Sequence, residues 1–229
     1  MSTSAIVTGA GSGIGRATAI ALAERGLDVA MLGRHADALE ETAHVVRAHG
    51  RFATTYTCDV ASAREVDVAM AAAIAAHGTP RVVVCNAGIA GRRVNVVATT
   101  EDEWDHVLAV NLKGTFLVTR AALPSMLAVG RGRVVCVGSI ASTLGTSGLS
   151  PYVASKWGVV GFVKSLAEEL RGTGLQAMAV LPGSVDTAML DKSRFEAQMS
   201  ADDVARTILF AALDAPDAMN ASAIEVFGP

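Results

Sequence analysis

Aromatic side chains are scarce in this sequence: two Trp, two Tyr and six Phe among 229 residues. The core must therefore be filled by Ala, Val, Leu and Ile, a filling that suits helices packed on a parallel sheet. Charge is low as well, at 18% of residues with a net of −3, and the basic residues form no run or stripe. That excludes a nucleic-acid surface. No uninterrupted apolar run approaches ~18 residues, so no membrane span is expected. Nor does a charged segment followed by an apolar one precede the first strand, expected from about Ser4. The protein is expected to be soluble and cytoplasmic. Cys58, Cys85 and Cys136 are odd in number and lack paired spacing, which argues for buried thiols rather than zinc or disulfides. His35, His44, His49, His77 and His106 lack metal-ligand spacing and read as solvated surface, so no metal site is expected.

What is present is regular alternation. The runs SAIVTG, LDVAML, FATTYTC, RVVVCN, RVVCVGS, QAMAVL and AIEVF read as strands. Ala-rich amphipathic stretches at 13–25, 36–49, 62–77, 101–129, 152–172 and 200–214 read as helices, with Pro124 kinking the fourth or marking its last turns. Seven strands alternating with helices predict an α/β fold: one doubly wound, Rossmann-like domain over 1–229, its mainly parallel sheet covered on both faces. Ligands of such sheets bind at the carboxyl ends of the strands. No linker or repeat interrupts the chain, and the short polar segment 188–199 is a candidate lid.

TGAGSGIG, residues 8–15, follows the first strand. The general G-x-G-x-x-G fingerprint fails, because Ile14 and Arg16 stand where its last glycine would be. Gly9, Gly13 and Gly15, with Gly11 between, form instead a G-x-x-x-G-x-G loop that includes Ser12 and Ile14. Such a loop makes a tight turn, lets backbone approach a pyrophosphate and aims a helix N-terminus at its charge.

Further motifs follow in order: Asp59 and Val60 after the third strand, Asn86-Ala87-Gly88 after the fourth, Asn111 in the fourth helix, Ser139 after the fifth strand, Tyr152 and Lys156, and PGSVDT at 182–187. Together they resemble the short-chain dehydrogenase/reductase family over essentially the whole chain. The resemblance implies that Asp59 hydrogen-bonds adenine and Val60 flanks it, while Asn86, Ala87 and Gly88 line the adenosine side. Pro182, Gly183 and Val185 would complete the cofactor wall, and Thr187 would hold the nicotinamide carboxamide. Read without the family, Asp59 and Asn86 could equally cap the following turns.

An acidic residue ending the second strand would grip the ribose of NAD, whereas an arginine accommodates the 2′-phosphate of NADP. Gly33 occupies the acidic position and Arg34 follows, which predicts NADP(H). Ser12, where a base would strengthen that choice, leaves NAD(H) possible. The bland reading of Arg34 is a solvated charge at a helix start.

Tyr152 and Lys156 are four apart and share one helix face. A free tyrosine has a pKa near ~10, too high for proton exchange at neutral pH, and a lysine one turn away together with an oxidised nicotinamide would lower it. The resemblance adds ribose binding for Lys156 and a proton-relay role, through its backbone carbonyl and water, for Asn111. Ser139 ends a strand and would donate to the substrate oxygen; Ser142 is the cruder alternative. Taken alone, Tyr152 reads as a packed aromatic with a surface lysine.

The expected function is hydride transfer between the cofactor and a small carbonyl or secondary alcohol. The alternatives are an NADP(H)-sensing regulator without turnover and a sugar-nucleotide epimerase or dehydratase, whose glycine spacing differs. Substrate choice is assigned to loops 89–98, 140–149 and 184–199. Arg92 and Arg93 in the first either attract an anionic substrate or are simply solvated. The ending SAIEVFGP departs from the Gly-rich terminus common in the family's 3-oxoacyl-carrier-protein reductases, which puts a fatty-acid role in doubt. Family members pair helices across two-fold axes, so a homodimer or homotetramer is expected.

Overall fold

The computed structural model describes residues 3–190 and 195–228. Its strands are β1 (Ser4–Thr8), β2 (Asp28–Gly33), β3 (Ala53–Thr57), β4 (Val82–Cys85), β5 (Gly132–Val137), β6 (Leu175–Pro182) and β7 (Ala223–Val226). All pair in parallel in the order β3-β2-β1-β4-β5-β6-β7. The winding reverses between β1 and β4, which opens a crevice at their carboxyl ends. The expected doubly wound α/β architecture is what forms, and every strand read from the sequence is there.

Period-two alternation splits the core between the two faces of the sheet. Val7, Val29, Met31, Val84 and Val180 pack toward α1 (Gly13–Glu24), α2 (Ala36–Ala48) and α7 (Ala201–Leu209). Ile6, Leu32, Val83, Val134 and Leu181 pack on the opposite face. That face is covered by α3 (Ala63–His77), α4 (Glu101–Leu108), α5 (Gly114–Val129) and α6 (Ser150–Glu169).

Helix starts follow side-chain chemistry. Ser62, Thr100 and Ser200 accept from the backbone N–H three residues on, capping α3, α4 and α7. Ser12 occupies the same position before α1 and makes no such bond. The first N–H groups of α1 are thus left to a ligand or solvent.

Three expectations need correction. Residues 101–129 are not one uninterrupted α-helix: a wide π turn over Ala109–Lys113 separates α4 from α5, while Pro124 lies inside α5, toward its end as expected. Residues 210–214 likewise leave α-helix for a π turn. His77 is buried rather than solvated, with its Nε2 2.8 Å from Thr54 Oγ1 and its ring against Phe52. It closes the end of α3 over β3, and burial pushes its pKa down. The three cysteines are buried free thiols, as expected. Of the candidate lid at 188–199, residues 191–194 lie outside the described residues.

Candidate active site

The crevice between β1 and β4 encloses about 340 Å³ and is lined by Gly9, Ser12, Gly13 and Ile14 on one side and Asn86, Ala87 and Gly88 on the other. Arg34, Asp59, Val60 and Thr187 complete its wall. Gly9 and Gly13 have φ of +65° and +50°, which disfavours a side chain, and a Cβ at Gly11 would come within 3.1 Å of Ala38. Gly15 is not a wall residue. It lies under the loop, where a Cβ would fall 2.2 Å from the Gly9 carbonyl oxygen. A backbone-walled cradle over an uncapped helix N-terminus fits a pyrophosphate.

Two residues do more than line the crevice. The Asn86 amide donates to the Thr8 carbonyl oxygen at 2.9 Å, and its backbone N–H donates to Thr8 Oγ1 at 3.0 Å, tying β4 to β1. Asp59 lines the crevice and also accepts from the Ala61 N–H at 2.9 Å, the bond its turn-capping reading expects. Arg34 is exposed at the mouth, and no carboxylate pairs with it among the described residues.

Beside Thr187 and Asn86 the crevice opens into a second cleft of about 560 Å³. Ile14, Asn86, Gly88 and Thr187 border both. Ser139, Tyr152 and Lys156 line this second cleft with Pro182, Gly183 and Val185. Ser139 is the N-cap of a short 3-10 turn, its Oγ accepting from the Ala141 N–H at 3.1 Å and bonding the Tyr152 hydroxyl. Ser142 does not face the cleft. Its Oγ accepts from the Ser139 N–H and donates to the Lys156 carbonyl oxygen at 2.9 Å, which braces strand end against helix.

Lys156 is buried, donates to the Val137 carbonyl oxygen at 2.8 Å and lies 5.7 Å from the centre of the Tyr152 ring. Asn111 lies in the π turn. Its side chain accepts from the Ile89 N–H at 2.8 Å and donates to the Ile89 carbonyl oxygen and to Ser155 Oγ, each at 2.9 Å. Its own carbonyl oxygen accepts from Thr115 Oγ1 at 2.8 Å. Ser155 then donates to the Tyr152 carbonyl oxygen at 2.7 Å. Gly88 allows this crowding, since a Cβ there would lie 3.2 Å from Asn111 Oδ1 and 3.5 Å from Lys156 Nζ.

The electrostatics depart from expectation in one respect. Burial pushes the Tyr152 phenol up, and the Ser139 hydrogen bond only partly opposes it; Lys156 does not lower it across this geometry. Burial also pushes Lys156 down from 10.5 to about 8. Below about 8 the folded protein carries the full cost of a buried ammonium, and between about 8 and 10.5 the unfolded chain binds the extra proton. Stability should therefore rise with pH through that window. Urea midpoints of wild type and Lys156→Met, measured without cofactor at about pH 7 and about pH 10, should shift toward wild type at the higher pH. A gap that does not move with pH would contradict the buried-ammonium assignment.

The remaining cleft wall is mostly apolar, with Ile140, Leu144, Leu149, Met189, Leu190 and Phe195 beside Thr146, Ser147 and Ser184, and Arg93 lines it too. The loops 89–98, 140–149 and 184–199 thus meet there, apart from 191–194. Arg92 points elsewhere, forming a two-pronged ion pair with Glu103. Ser155 escaped the sequence reading, while Ser142 entered it only as the alternative to Ser139 and Thr8 only as the first residue of the glycine motif. Thr8 directly precedes Gly9 and Ser155 lies three residues after Tyr152, but hydroxyls that act only by bracing leave no spacing signature.

The short chain dehydrogenase family model matches residues 3–198. A 2-(R)-hydroxypropyl-CoM dehydrogenase of Xanthobacter autotrophicus is 42% identical over 82% of this chain and 77% of its own. A human (3R)-3-hydroxyacyl-CoA dehydrogenase is 39% identical over 82% and 75%. A 3-oxoacyl-acyl-carrier-protein reductase of Staphylococcus aureus is 35% identical over 100% and 98%. Among solved structures, an actinorhodin polyketide ketoreductase with NADPH superposes with a TM-score of 0.93 at 33% identity, covering 99% of this chain and 96% of that one.

Proposed function

Because the chain belongs to the short-chain dehydrogenase family, we propose that it transfers a hydride between NADP(H) and a carbonyl or secondary alcohol, with Tyr152 moving the proton. The observation that carries this reading is the placement of Ser139, Tyr152 and Lys156 together in a cleft that shares Ile14, Asn86, Gly88 and Thr187 with the glycine-loop crevice. A nucleotide laid along the glycine loop would end there, facing a substrate from the apolar side.

A nicotinamide held here would supply or accept the hydride. The residues do the rest. The loop at Gly9–Gly15 and the α1 N-terminus hold pyrophosphate, Asp59 and Val60 hold adenine, Asn86 to Gly88 form the opposite wall, and Thr187 holds the carboxamide. Lys156 binds ribose hydroxyls and keeps a positive charge near Tyr152. Ser139 donates to the substrate oxygen as negative charge grows on it. Because burial holds Tyr152 protonated, it is poised to donate in the reducing direction. Asn111 and Ser155 hold the Tyr152 helix against the Ile89 loop. A regulator without turnover has no observation in its favour, since the reacting trio is complete.

NADP(H) preference rests on Arg34, whose guanidinium has no acidic partner among the described residues and borders the crevice. Arg34→Ala should lower kcat/KM for NADPH by about tenfold while changing that for NADH less than about twofold, the loss of one charge-assisted contact. An unchanged ratio of the two cofactors would sink the preference.

We also propose a homo-oligomer. Leu108, Ala109, Leu112, Phe116 and Phe162 form an apolar hollow on the outer face of α4, α5 and α6, suited to self-pairing across a two-fold axis. Among the described residues no helix is long and apolar enough to cross a membrane. Three free thiols accord with a cytoplasmic location.

A further inference from the structure

We propose that Arg93 recognises an anionic group on the substrate, remote from the reacting carbon. The inference rests on the reading of the cleft as a carbonyl-reductase site and names the class of compound that enters it. Among the described residues that line the cleft only Lys156 and Arg93 are charged, and there is no carboxylate. Lys156 is buried at the reacting end and bonded to the Val137 carbonyl oxygen. Arg93 lines the same cleft and stands exposed to solvent.

Its position is built. The guanidinium carbon lies 5.2 Å from the centre of the Phe195 ring. Its stem runs past Gly148, where a Cβ would come within 3.0 Å of Arg93 Cγ. The neighbouring Val94 N–H donates to the Gly148 carbonyl oxygen at 2.9 Å, which fixes this loop to the next. A guanidinium held over a ring keeps its charge, and its N–H donors can still serve an oxyanion. No described residue accepts from them. The adjacent Arg92, by contrast, is neutralised by Glu103, whose side chain is 13% exposed. One arginine of the pair is closed off and the other faces the cleft.

A matching substrate has a carbonyl or hydroxyl, an apolar span, and a terminal carboxylate, sulfonate or phosphate. Keto acids of increasing chain length from levulinate upward, assayed against their methyl esters, test this, and keto sulfonates and keto phosphates of matched length distinguish the oxyanion. Wild type should favour the best acid over its ester by about tenfold or more in kcat/KM. Arg93→Met, which keeps the stem, should lower kcat/KM for the acid by about tenfold to a hundredfold through KM. Its kcat, and its kcat/KM for the ester, should stay within about twofold. Arg93→Lys should restore part of the loss, and Arg92→Gln should leave the acid-to-ester ratio unchanged. Added salt should raise KM for the acid in wild type and not in Arg93→Met. Neutral ketones reduced without any preference for acids, or acid and ester falling together in Arg93→Met, would overturn the role of Arg93 and leave the reductase reading intact. Wild type that turns over no carbonyl with either cofactor would overturn both.

Discussion

Tyr152→Phe is expected to lower kcat for carbonyl reduction by about a thousandfold, within the roughly 10²–10⁴-fold that a positioned general acid supplies. The substitution removes one oxygen and keeps the ring. Ser139 retains its bond from the Ala141 N–H, and the helix start keeps the Ser155 contact to the residue 152 carbonyl. One side-chain hydrogen bond is lost, at a cost of about 1 kcal/mol that the easier burial of a phenyl ring offsets in part. The urea midpoint and cofactor affinity should therefore stay close to wild type. This pattern separates the two readings of Tyr152, because a merely packed aromatic would lose little activity. A Phe variant within about tenfold of wild-type kcat would remove Tyr152 from the chemistry.

How far these features can be read from sequence depends on whether they are local. The strands were legible because they are short, near-continuous apolar runs between longer Ala-rich stretches; that Val7, Val29, Val84 and Val180 share one face is seen only in the fold. The glycine loop, Ser139 and the Tyr152–Lys156 pair were legible for the same reason: each is a short spacing with a chemical consequence. The π turn at 109–113 was not. Its apolar periodicity is that of one long helix, and what distinguishes Asn111 is a set of side-chain bonds to Ile89, 22 residues earlier, and to Ser155, 44 residues later. His77 was misread because its burial depends on Thr54 and Phe52, which belong to another element.

The same distinction applies to charge. Spacing places Lys156 beside Tyr152, and the two do lie within 5.7 Å, yet the ammonium is turned to Val137 and burial dominates both groups. A helix-face argument supplies proximity. It does not supply desolvation, which here holds the phenol protonated and makes Lys156 easier to deprotonate. Arg92 and Arg93 are neighbours in sequence and differ only in what folds against them, Glu103 for one and Phe195 for the other.

Gly15→Ala should damage fold and site together. The added Cβ would fall 2.2 Å from the Gly9 carbonyl oxygen, 2.7 Å from its carbon and 2.5 Å from Asn86 Nδ2. Two of these neighbours are backbone, so no side-chain rotation relieves the clash. The loop must lift from α1, and Asn86 must release the Thr8 carbonyl, one of the two bonds that tie β4 to β1. These movements spoil the cradle at the α1 N-terminus. Overpacking a rigid site costs about 1–3 kcal/mol, and the broken tie adds to it, so a loss of about 3 kcal/mol in unfolding free energy is expected. Cofactor Kd should rise by about a hundredfold. Gly26→Ala is the control. Its φ is +83° but nothing lies within 4 Å of the added Cβ, so it carries only the conformational penalty of about 1 kcal/mol and should bind cofactor normally. Urea unfolding and cofactor fluorescence titration of both variants measure the two effects. A Gly15→Ala protein as stable as wild type, with unchanged cofactor affinity, would mean that the glycine loop does not rest on α1 as described.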